Sequence, residues 1–279
     1  MRGRLRAHAR LIECVLLFAG LPLLLTLWRA DPLTPAAWLG LGEDRAEWLS
    51  RVAVSATFFA AAGGVLLALL LDRSFDNSRL WHFVRVPPTN ADRPKQRAGR
   101  ELVRILSIWL VACVAIALFV RAVHPEWFLL LPRERPTRWV LIALLYPVFS
   151  VLPQGLIYRS FFLHRYRCVL GRATPIAAAI AFGAMHAVFL NWMAPLLCLA
   201  GGALFTWTYV RTGSAVLAWL EHSLHGVAAF SLGLGLYFFL GAPRDAAGRI
   251  VPPGSPDAVQ TAPAPTVGAA LTLQQEPRP

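Results

Sequence analysis

The sequence predicts an all-α fold, a polytopic integral membrane helical bundle of about seven or eight transmembrane helices. Three observations carry that reading. Hydrophobic residues make up 57% of the chain and charged residues only 15%, too few charges to coat a soluble particle of this size. Apolar runs close to the ~20 residues needed to cross a bilayer recur from end to end. Arginines gather between these runs and do not form a continuous stripe, as expected of a topology signal.

The runs follow in order. The first is 11-LIECVLLFAGLPLLLTLW-28, behind the basic leader MRGRLRAHAR. A charged n-region and an apolar core also fit a signal peptide, but no small-x-small cleavage site follows Trp28, so an uncleaved anchor is expected. The second run is 52-VAVSATFFAAAGGVLLALLL-71, and the third is 102-LVRILSIWLVACVAIALFV-120. A fourth extends from Trp139 to about Ile157, and a fifth is 175-PIAAAIAFGAMHAVFLNW-192. After Pro195 a sixth runs from Leu196 to Val210. The last apolar region, 214–241, is too long for one untilted crossing, so it is either one long helix or a helix broken near the glycines of 231-SLGLGLYFFLG-241.

Net charge is +12, from 27 Lys+Arg against 15 Asp+Glu. The placement of that charge argues for membrane orientation and against nucleic-acid binding. The leader, the 72–101 linker, the 158–174 linker and Arg211 fall on one side if the spans alternate, and the most basic side is expected to be cytoplasmic. The expected location is the bacterial inner (cytoplasmic) membrane, with the N-terminus in the cytoplasm and the lipid bilayer as the first partner. The four cysteines, Cys14, Cys113, Cys168 and Cys198, include no CxxC pair; they read as small apolar side chains and not as a disulfide framework. From about residue 242 the chain turns rich in Pro, Ala, Gly and Thr, a composition that cannot offset its ordering entropy. Three regions result: an N-terminal membrane region with three spans and a basic linker (1–137), a membrane core (138–241) and a disordered tail (242–279).

Polar residues within the later spans are the candidates for function, because an ionisable group at membrane depth costs several kcal/mol unless it is paired or faces a wet cavity. Span four ends with Gln154 and Arg159, span five carries His186, and the last helix carries Glu221, His222 and His225. At about 100° per residue, those last three fall within one helical face. The economical arrangement is a shared polar cavity. Taken singly, His186 also fits a helix–helix hydrogen bond, and Arg159 fits a side chain snorkelling to the headgroups.

The spacing resembles the CPBP family of intramembrane endopeptidases, which includes the CAAX prenyl proteases and their bacteriocin-processing, Abi-like relatives. That family carries EExxxR at the end of one span, FxxxH in the next, and HxxxN or a small-residue variant in a later one. Here 154-QGLIYR-159 stands at the first position, 182-FGAMH-186 at the second and 222-HSLHG-226 at the third, with Gly226 in the place of Asn. The resemblance covers about residues 140–230. It implies peptide-bond hydrolysis inside the membrane on a membrane-associated protein or peptide. By position, His186 would orient the water, His222 would donate to the oxyanion and Arg159 would support the acidic pair, with Phe182, His225 and Gly226 around them.

Both acidic positions of that pattern are replaced, by Gln154 and Gly155. Glutamine hydrogen-bonds a water but cannot take its proton, and loss of a general base typically costs ~10²–10⁴-fold in rate. Three readings stay open at this stage. Catalysis is weakened or lost and the fold serves as a membrane scaffold or accessory protein; or Glu221 supplies the base; or His186, His222 and Glu221 hold zinc, although no HExxH motif is present and no cofactor is otherwise implied. A proton-coupled transporter is a further alternative, because intramembrane His and Glu relay protons.

Overall fold

The structure, a computed structural model, describes residues 2–31, 40, 42–82, 94–240, 242, 245 and 249–251. The expected disordered tail lies outside the described residues from 252 onward, as do Arg85 and Arg93 of the basic linker. Among the described residues there is no β-strand, and the chain is an all-α bundle of membrane-spanning character.

Helix α1 (Arg2–Val15) passes through a π-helical turn (Leu16–Gly20) into α2 (Leu21–Ala30). Pro22 explains the turn: it has no N–H for the helical ladder, and the chain compensates with a wider bond from the Leu21 N–H to the Leu16 carbonyl. Helices α3 (Glu43–Leu71) and α4 (Pro94–Val123) are long and uninterrupted. After a short α5 (Leu130–Glu134), α6 (Pro136–Tyr146) begins a continuous but repeatedly widened helix. It continues through a π-helical turn (Pro147–Val151), α7 (Leu152–Gly155), a second π-helical turn (Leu156–Phe161) and α8 (Phe162–Leu170). Pro147 and Pro153 each remove a ladder donor here, and π-helical turns are a common response, often near functional sites. Then follow α9 (Thr174–Met185), α10 (Met193–Thr212) and α11 (Ala215–Leu232).

Among the described residues, five helical segments are long and apolar enough to cross a membrane: Leu5–Ala30, Trp48–Leu71, Ala98–Val123, Pro136–Phe189 and Met193–Thr212. The fourth holds 54 residues, so it contains the sequence of two predicted spans. The last apolar region is broken: α11 stops at Gly233, whose φ of 119° suits glycine. A side chain there would also meet the Trp127 carbonyl at 2.6 Å.

Small residues set the tightest pairing, between α9 and α10. A Cβ on Gly183 would lie 3.1 Å from the Leu199 Cβ, and one on Gly202 would lie 2.9 Å from the Phe182 ring. Phe18 packs on α8 and the π-helical turn before it through edge-to-face contacts with Tyr158, Phe162 and Tyr166, at centroid separations of 5.6, 4.7 and 5.7 Å. The outer faces keep large apolar side chains exposed, among them Val111, Leu118 and Leu144, as a lipid-facing surface requires.

Ion pairs gather the four basic segments at one end of the bundle. Arg165 of α8 donates twice to Glu13 of α1, at 3.1 and 2.8 Å. His164 meets Asp72, at the end of α3, at 2.9 Å. Arg211 of α10 donates to Glu101 of α4 at 2.7 Å. The leader, both basic linkers and Arg211 therefore share one end, as the alternation of spans predicts.

Candidate functional site

A cavity of about 410 Å³ lies where α4, the widened α6–α8 helix, α9, α10 and α11 meet. Most of its wall is apolar. Its polar side chains are Tyr146, Ser150, Gln154, His186, His222 and His225, and Gly226 completes the α11 side. Fixed anchors position them. The Trp219 indole donates to the Pro147 carbonyl at 2.7 Å and pins α11 to the first π-helical turn. The Trp109 indole donates to the Leu224 carbonyl at 3.0 Å and holds α4 against the same helix.

The histidines have defined roles in hydrogen bonding. His186 Nδ1 lies 2.7 Å from the Phe182 carbonyl. A carbonyl only accepts, so Nδ1 carries the proton and, in the neutral ring, Nε2 keeps a free lone pair. His225 is held in the same way by the Glu221 carbonyl at 2.7 Å, and its Nε2 is buried with no partner. His222 Nε2 lies 3.3 Å from the Tyr146 hydroxyl, while its Nδ1 is buried and unpartnered. Phe182 sits between the two motif histidines, 4.7 Å from the His186 ring and 5.5 Å from the His222 ring. Phe205 stacks on His222 at 4.5 Å. Gln154 donates to Ser150 at 3.0 Å, and its Oε1 has no partner. Buried polar atoms are nearly always satisfied, so this concentration of unspent donors and acceptors marks the cavity as a place that receives polar groups.

Three predicted members are absent from the wall: Arg159, Glu221 and Gly155. Arg159 is almost fully buried, and none of its three guanidinium nitrogens has a hydrogen-bond partner. The cation lies over the rings of Phe182 and Phe205, at 4.9 and 5.2 Å from their centroids. Where the resemblance supplies two carboxylates, this chain supplies two aromatic faces, a substitute worth on the order of 2 kcal/mol when desolvated. It does not snorkel.

Glu221 is the second correction. It does not line the cavity, because Arg104 of α4 engages it at 3.4 Å. Arg104 also donates to Thr208 at 2.7 Å and to Glu101 at 3.0 Å. Helical spacing alone puts Glu221 on one face with His222 and His225, but the Arg104 cation of the neighbouring helix engages its carboxylate. The zinc arrangement of His186, His222 and Glu221 is therefore not assembled; among the described residues no three His, Cys, Asp or Glu side chains are placed to hold a metal. Gly155 also lies off the wall, and a Cβ built on it would meet nothing within 4 Å.

Sequence reasoning missed Tyr146 and Arg104. A Cβ on Gly226 would collide with the Tyr146 ring and hydroxyl. Tyr146 thus occupies the space into which a larger residue at 226 would project, and its hydroxyl reaches His222. A tyrosine within an apolar run reads as core, so only the glycine four residues after His222 hinted at it. Arg104 was open to notice as a cation inside the third apolar run.

Fold and site together define an integral membrane protein with a histidine-lined cavity enclosed by its helices. Residues 136–228, from the start of α6 to most of α11, match the family model described as type II CAAX prenyl endopeptidase Rce1-like. This part of the chain is an Rce1-like domain, from an intramembrane protease family of the CPBP group. No curated protein and no solved structure gives a match to the chain.

Proposed function

We propose that the protein is a slow intramembrane endopeptidase that hydrolyses a peptide bond of a membrane-associated protein or peptide in the histidine cavity. The observation that carries this reading is the unspent pair on either side of Phe182. His186 Nε2 offers a lone pair, and His222 Nδ1 lies free on the other side. With the Tyr146 hydroxyl donating to Nε2, His222 bears its proton on Nδ1 and points a donor into the cavity. In the reaction, Gln154 Oε1 and His186 Nε2 orient a water, His186 takes its proton, and the His222 N–H stabilises the oxyanion. The proton then passes from His186 to the leaving amine. Arg159 supports the site through the rings of Phe182 and Phe205, and Glu221 with Arg104 positions α11. Residues 138–241 form the working core, region 1–137 closes its α4 side, and the N-terminus lies in the cytoplasm of a bacterial cell.

The missing carboxylate sets the rate. Cleavage of a peptide library by the chain reconstituted in liposomes, followed by mass spectrometry, tests the reading. Slow cleavage abolished by His186→Ala and accelerated by Gln154→Glu supports it. A chain that binds peptides but never cuts them, with or without Gln154→Glu, is a membrane scaffold that keeps the protease cavity. Among the described residues no carboxylate lines the cavity, which favours that second reading.

A further inference from the structure

A second, larger cavity of about 710 Å³ opens at the basic end of the bundle, between the turn after α3, helix α8, the turn before α9 and the end of α10. Arg79, Arg167 and Arg172 line it. None of the three pairs with a carboxylate among the described residues, whereas Arg165 and Arg211 nearby do. The acid on the wall, Asp76, is held as the cap of a short helical turn by the Ser78 N–H and hydroxyl, at 3.1 and 2.6 Å. His164, also on the wall, is engaged by Asp72 at 2.9 Å. Three arginines face one carboxylate on this wall, which leaves the cavity net positive.

The rest of the wall is apolar, with Leu163, Pro175 and Val210 beside the arginines. Val210 and the neighbouring Ile176 are 54% and 66% exposed on the outer surface of the bundle. Guanidinium groups bind phosphate oxygens through paired N–H donors, and basic pockets between membrane helices suit anionic headgroups. We infer that this cavity binds the phosphate of an anionic phospholipid, with the acyl chains lying along the exposed apolar surface of α9 and α10. A free phosphate finds the same cations but gains nothing from the apolar flank, which is why the lipid is the occupant. The site is separate from the histidine cavity and does not depend on peptide hydrolysis.

The test uses the full chain in a neutral detergent and three probes: phosphatidylglycerol, phosphatidylcholine with the same acyl chains, and glycerol phosphate. Binding is read by native mass spectrometry. The expected result is at least tenfold tighter retention of phosphatidylglycerol than of phosphatidylcholine, with little effect of glycerol phosphate. Arg167 and Arg172 are exposed, so Arg167→Gln with Arg172→Gln leaves the fold intact and should remove most of that preference, about tenfold or more for two cations. Arg133→Gln with Arg135→Gln, matched in charge but far along the chain, should keep it. Equal loss in both double variants, or equal retention of the two lipids, overturns the proposal. Competition by glycerol phosphate as strong as by the lipid overturns the lipid assignment in favour of a free-anion site.

Discussion

Buried and half-buried ionisable groups are handled in opposite ways at the basic end and in the histidine cavity. At the basic end three carboxylates have a cationic or histidine partner, Glu13 with Arg165, Asp72 with His164, and Glu101 with both Arg104 and Arg211, while Asp76 caps a short helical turn. In and around the cavity, Arg159, Gln154 Oε1, His222 Nδ1 and His225 Nε2 have none. The first pattern holds helices together. The second leaves hydrogen-bonding capacity for something that enters. The difference teaches that in this molecule unspent polarity, more than polarity itself, separates site from scaffold.

The sharpest way to break that distinction is to give the cavity a carboxylate. Gln154→Glu should raise peptide cleavage by about 10²-fold or more, and His186→Ala should reduce it to background, both read as product formed in proteoliposomes. No rate change in either variant would make the cavity scaffold as well. Next in size is the basic end. Glu101 is 3% exposed and serves two arginines, so Glu101→Ala should lower unfolding stability by roughly 3 kcal/mol, the low end for a broken buried pair because Arg211 is half exposed. Thermal unfolding in detergent reads this, and the peptide affinity of the folded protein should hardly move.

Tyr146→Phe tests the border between the two patterns. It removes the hydroxyl from His222 and leaves the ring, so stability should change by about 1 kcal/mol or less while cleavage falls about tenfold. The smallest effect belongs to Asp72. The Ser74 hydroxyl, then His164, then the Ser74 N–H hold its carboxyl well below the usual carboxylate range. A depressed folded pKa means the contribution is complete above the ordinary value of 3.8 and fades as pH falls toward the folded one. Unfolding midpoints of wild type and Asp72→Asn should therefore differ at neutral pH and converge in strong acid.

Much of this architecture is legible in the sequence, since lipid-facing helices announce themselves by length and apolarity. The convergence of His186 and His222 is legible as well, because Phe182 one turn before His186 packs between their rings. The rest depends on partners far along the chain. Nothing near Glu221 predicts that Arg104, 117 positions away, turns it from the cavity. Nothing near Arg159 predicts that two phenylalanines would replace its acids. The π-helical turns were also hidden: a proline inside an apolar run equally signals a helix end, and only packing on both sides keeps the helix going.

The contact between Gly226 and Tyr146 carries a consequence for which substitutions this chain accepts. An acidic residue at position 155 enters open space and is available in one step. Asparagine at 226 is not, because the tyrosine stands in its way until position 146 becomes smaller. The two positions thus lie behind unequal packing barriers: an acid at 155 meets none, whereas a side chain at 226 needs room from Tyr146 first.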